Sequence, residues 1–95
     1  MAITTTQPFL PTYQFKVGTA NHNVYHANKG DGLPKHNHTF PHIVICVNGS
    51  CLIKKEGKEL TINKHSQPVN LVAVEWHEIE SLEDNTVFIN IFEQP

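Results

Sequence analysis

His42-Ile-Val-Ile-Cys-Val-Asn-Gly-Ser-Cys-Leu-Ile-Lys-Lys-Glu-Gly-Lys-Glu-Leu-Thr-Ile62, or HIVICVNGSCLIKKEGKELTI, alternates short β-branched runs with two glycine-containing turns. Asn48-Gly49 carries the two-residue type I′ hairpin signal, and Glu56-Gly57 marks a second turn. Two-residue loops set the register of the strands they join. Val47 then faces Ser50, Cys46 faces Cys51, and Val44 faces Ile53. Across the second turn Lys55 faces Lys58, Ile53 faces Leu60, and Cys51 faces Ile62. One face of the ribbon carries His42, Val44, Cys46, Cys51, Ile53, Leu60 and Ile62. It is apolar except for His42, and Lys55 and Lys58 stand at its end. The other face carries Ile43, Ile45, Val47 and Leu52, too apolar to meet water freely. A second sheet, an N-terminal arm or another subunit is expected to cover it.

Outward from this block the same grammar continues. Tyr13–Val17 and Asn23–Ala27 read as strands, followed by the turn cluster NKGDG. Val69–Val74 and Asn85–Phe92 read as the last strands, joined by EWHEIESLED. No segment has the periodicity of a helix, so the expectation is an all-β sandwich or barrel. The 95 residues form one domain, 1–95, with 1–12 as an extended arm marked by Pro8 and Pro11. A chain this short buries only about 60–68% of its unfolded surface, so barrel closure, a metal or a partner subunit would each help it.

The net charge of −2, with seven lysines and no arginine, provides no basic stripe, and nucleic acid is not an expected partner. No apolar run reaches the roughly 18 residues of a membrane span, and the first residues lack the pattern of a secretion signal. The expected location is cytoplasmic. There Cys46 and Cys51 are expected to be two small buried thiols, with a cross-strand disulfide as the alternative.

Just before the central block, GLPKHNHTFPH places His36, His38 and His42 within seven residues. In an extended segment these three share parity and point to one side. Imidazole suits Zn, Cu, Fe, Ni and Co, and a pair at i, i+2 is a compact chelate. A solvated loop is the competing reading for a lone His-x-His. Three histidines of one parity leading into a core strand favour donors aimed at one ion. His22, His26 and His65 read as surface or supporting residues.

The spacing resembles the first motif of the cupin family, G-x5-H-x-H-x(3,4)-E-x6-G. Asp31 stands at the opening glycine position, between Gly30 and Gly32, and His36, His38, His42 and Gly49 follow at the family's intervals. His42 occupies the place of the usual ligand glutamate, which changes the type of site while keeping a donor atom. In the second motif, G-x5-P-x-G-x2-H-x3-N, His77 matches the ligand histidine. Val72, Val74 and Ser81 depart from the proline, glycine and asparagine. The resemblance, spanning residues 30–92, is to small single-domain cupins of the cupin_2 type.

It implies a double-stranded β-helix, the jelly-roll barrel, holding one divalent transition-metal ion (Fe, Ni, Cu, Mn, Co or Zn). The implied ligands are His36, His38, His42 and His77. It also implies a small-molecule ligand or substrate and a homodimer. Four neutral imidazoles would leave the full charge of the ion in place and up to two positions open. Dioxygenase-type chemistry on a small oxygenated molecule is the leading expectation. Lewis-acid isomerase or lyase chemistry and non-catalytic binding are the alternatives. With no glutamate ligand, Glu75 and Glu78 are the nearest carboxylates in sequence, and both are expected to be solvated. Phe40 has the parity to wall the pocket, and Trp76 that to pack outside the barrel.

Overall fold

The computed structural model describes residues 9–93 apart from 37–39, with His36 described through its backbone. Nine strands occur among the described residues: β1 (Tyr13–Val17), β2 (Ala20–Ala27), β3 (Gly32–His36), β4 (His42–Asn48), β5 (Ser50–Lys55), β6 (Lys58–Asn63), β7 (Val69–Leu71), β8 (His77–Ser81) and β9 (Thr86–Phe92). They form two antiparallel sheets, a larger one ordered β1-β2-β9-β4-β7 and a smaller one ordered β3-β8-β5-β6.

The β5–β6 hairpin has the expected register, with Lys55 opposite Lys58, Ile53 opposite Leu60 and Cys51 opposite Ile62. Asn48-Gly49 is different: β4 pairs with β7 and β9, β5 pairs with β6 and β8, and the two do not form a hairpin. The chain instead turns a corner there, passing from the larger sheet to the smaller. Gly49 sits at φ 73°, and a Cβ on it would collide with Thr86, whose Cα would lie 2.9 Å away. Only glycine combines that left-handed conformation with so close an approach. The neighbouring β8–β9 connection makes the same crossing in reverse and braces the corner. Thr86 Oγ1 donates to Glu83 O at 2.8 Å, Ser81 Oγ donates to the same carbonyl at 2.7 Å, and Asn48 Nδ2 donates to Asn85 O at 2.8 Å.

Three other strand expectations change. The segment read as a connection after Glu75 contains β8, whose residues alternate between buried and exposed positions. The strand expected over Val69–Val74 stops at Leu71, because Val74 adopts φ 70° and Val72 and Val74 are exposed. The strand expected from Asn23 begins at Ala20, after a hairpin turn in which Gly18 supplies a positive φ.

The inward residues of both sheets form one core: Tyr25, Ala27, Val44, Cys46, Cys51, Ile53, Ile62, Leu71, Ile79 and Phe88. The inner face expected from alternation is therefore buried, although its two halves come from facing sheets. That outcome follows from the period of two, which holds whichever strand lies alongside. Of the expected arm, Phe9 packs on this core, its ring stacked on Tyr25 at 5.4 Å. Residues 1–8 lie outside the described residues.

Cys46 and Cys51 are both free and buried. Burial pushes both thiols up, Cys51 to about 12. The thiolate is the reactive form, so alkylation by iodoacetamide at pH 8 is expected to be at least about 100-fold slower than for an unfolded cysteine. Mass spectrometry of native and urea-unfolded protein measures this directly. The raised pKa also sets a sign: the native state keeps protons that the unfolded chain gives up. Stability should therefore fall as pH rises from about 9 towards 12.

Candidate metal centre

β4 and β8 both start at the end of the sandwich opposite the Gly49 corner. Their first residues, His42 and His77, are 4% and 2% exposed. Each is the first member of an alternating inward series, which explains why two polar rings end up in an apolar core. They come from opposite sheets and meet edge to face, with ring centroids 5.5 Å apart. β3 ends at the same place, and His36 is the register partner of His77. His38 lies outside the described residues, so the structure brings His36, His42 and His77 to one end of the barrel through their strands. Among the described residues, no group of three His, Cys, Asp or Glu side chains forms a metal cluster.

The described part of the set suits a divalent ion. Nδ1 of His77 lies 3.2 Å from the carbonyl oxygen of Glu75. A carbonyl only accepts, so Nδ1 carries a proton, and in the neutral ring Nε2 is then the nitrogen with the lone pair. That tautomer lock is the usual support for a ligating histidine. His42 is held differently: Phe40 stacks on its ring at 5.2 Å, and Phe92 flanks it at 5.4 Å. Phe40 thus takes the walling role expected from its parity. These rings open onto a pocket of about 640 Å³ lined by His42, Phe40, Phe92, Pro41, Ile43 and Asn70, among others. Its volume falls within the range of small-molecule sites.

The remaining histidines lie elsewhere. His22 bonds through Nδ1 to Ala20 O and stacks on Phe15, while His26 and His65 are exposed. Glu75 differs from its expected solvated state: its carboxylate is 21% exposed and lies 3.5 Å from Nζ of Lys55. Trp76 is half-buried under Lys35, whose Nζ sits 4.4 Å from the ring centroid.

Sequence reasoning placed Lys55 only at the end of a face and did not connect it with the site. The signal was present in its parity with Cys51 and Ile53. Phe92, Asn90 and Tyr25 also escaped notice. The last two form a buried polar patch on the inner face of the larger sheet, where burial raises the Tyr25 phenol against the effect of hydrogen bonds to Asn23 and Asn90.

Neither a family model nor a curated protein matches the sequence. Solved structures match its fold. KdgF from Halomonas sp. superposes with a TM-score of 0.74 at 16% identity, covering 83% of this chain and 73% of that one. A cupin 2 domain-containing protein from Halorhodospira halophila gives 0.73 at 16% identity, over 84% of this chain and 56% of its own. Oxalate decarboxylase of Bacillus subtilis, a protein with Mn(II) centres, gives 0.68 at 15% identity. The match covers 80% of this chain and 21% of that larger protein. Two antiparallel sheets joined by crossing corners, with these structures superposing on them, give the chain its class: it has the all-β jelly-roll fold of the small cupins.

Proposed function

We propose that the protein holds one divalent transition-metal ion through His36, His38, His42 and His77 and presents it to a small oxygenated organic molecule, with dioxygenase-type turnover as its chemistry. The observation that carries this reading is the burial of His42 and His77 against each other, with the Nδ1 proton of His77 committed to a carbonyl. Two imidazoles brought together from facing sheets can serve one ion between them. When bound, a redox-active ion supplies electron transfer and Lewis acidity. The chain does the rest: Phe40 and Phe92 fix the His42 ring and keep water from it, while the pocket beside them admits the ligand.

Elemental analysis of untagged protein, followed by oxygen-uptake assays with a catechol and a 1,3-diketone, tests the reading. Near-stoichiometric iron, copper, nickel or manganese with oxygen consumption supports it. Metal with turnover but no oxygen uptake would point to Lewis-acid isomerase or lyase chemistry. Metal and ligand binding without product would make the protein a binding module. Absence of metal after reconstitution would overturn the reading.

We also propose that the protein is a homodimer. The outer face of the larger sheet carries Tyr13, Phe15, Val17, Ile43, Ile45, Val47, Ile89 and Ile91, and Tyr13, Val17 and Val47 are 62%, 62% and 46% exposed. A continuous apolar sheet face is suited to packing on its own copy about a two-fold axis. Sedimentation should give a dimer at micromolar concentration and a monomer for Ile43→Glu. A monomeric wild type would refute the dimer.

A further inference from the structure

Lys55 continues the inward series of β5 after Cys51 and Ile53, which places it at the end of the barrel where the histidines gather. It is the register partner of His77 on β8. Directly opposed residues of an antiparallel pair have Cβ atoms about 4.5–5.5 Å apart, so the ammonium emerges beside the candidate metal centre. Its side chain is only 15% exposed. Nζ donates to Asn70 O at 3.3 Å, bridging from the smaller sheet to β7, and Asn70 lines the same pocket as His42.

The partner of this cation is loosely held. Nζ stands 3.5 Å from Oε1 of Glu75, longer than the about 2.7–2.9 Å of a strong charge-assisted hydrogen bond. That oxygen is buried and makes no hydrogen bond. An ammonium has three donors, and a carboxylate arriving from the pocket can offer a closer acceptor than Glu75 does. The surrounding charges are few: Lys58 is the register partner of Lys55, and Glu93, which accepts from Thr19 Oγ1, is the one charged residue among the described residues lining the pocket itself.

We propose that Lys55 anchors a carboxylate of the ligand, with Glu75 as the counter-ion that the ligand displaces, so that the molecules this site takes are small organic acids. The inference rests on the metal-site reading and adds the substrate class. Lys55 acts by positioning the ligand. It is thus a specificity residue beside His77.

The test uses nickel-loaded protein and two chelators of matched shape, pyridine-2-carboxylate and its neutral carboxamide, titrated calorimetrically and through the fluorescence of Trp76, the single tryptophan. Lys55→Gln should weaken the carboxylate about tenfold or more, as for a lost hydrogen bond to a charged group, and leave the carboxamide unchanged. Lys55→Arg should restore the carboxylate. Glu75→Gln should tighten it several-fold, a gain that a purely structural ion pair would not produce. Nickel content is measured in every sample. Full nickel with unchanged carboxylate affinity in Lys55→Gln, or no tightening in Glu75→Gln, would overturn the Lys55 assignment alone. Failure of the wild type to hold nickel would overturn the metal reading and this inference together.

Discussion

Replacing His77 with alanine is expected to lower metal affinity by at least about 100-fold, since even the partners that orient ligating histidines are worth 10–100-fold each. The geometry makes His77 the most consequential of the described candidates. It is 2% exposed, its Nδ1 proton is held by the Glu75 carbonyl, and its ring meets His42 from the opposite sheet. Any ion held there binds the native state and not the unfolded chain. It should therefore stabilise wild type by about 2.7 kcal/mol at a metal concentration 100 times Kd. The clearest readout is the metal-induced rise in Tm, present in wild type and absent in His77→Ala. His65→Ala, changed at an exposed histidine, should keep the full rise. A His77→Ala protein that still carries one equivalent of metal would remove His77 from the site.

The second large effect lies in the core. Phe88 is fully buried at the centre of β9, paired on one side with Tyr25 and on the other with Cys46. Its ring stacks on Tyr25 at 4.9 Å and faces Phe9 at 6.4 Å. Truncation to alanine should cost about 3–5 kcal/mol. A domain of this length has roughly 5–14 kcal/mol in total. The expected fall in Tm is therefore roughly 15–30 °C, with a matching drop in the urea midpoint. Because Phe9 precedes β1, the loss should also free the start of the chain, seen as faster proteolysis there. A change below about 1 kcal/mol would mean that the aromatic stack is not the centre of the core.

Much of this was readable from residues alone. The inward series His42, Val44, Cys46 and Cys51, Ile53, Leu60 is a period-of-two pattern, and alternation survives any choice of neighbour. The β5–β6 register followed from a two-residue turn that needed no outside contact. β8 was missed because four of its five residues, HEIES, carry polar side chains, and only their burial between β3 and β5 makes them a strand. The solvated reading of Glu75 failed because nothing local links it with Lys55, twenty positions earlier.

The sequence by itself determined which side chains face inward, where glycine is required, and that histidines of one parity lead into a core strand. Only the tertiary structure decided what lies beside each strand. Asn48-Gly49 specifies a sharp, left-handed turn, and the same signal serves a hairpin or a corner between sheets. The choice fell to packing: β4 and β5 each bury an apolar face, and they bury both at once by facing each other across the core rather than lying side by side. That same crossing brings His42 to His77, a meeting of two sheets that no local pattern encodes.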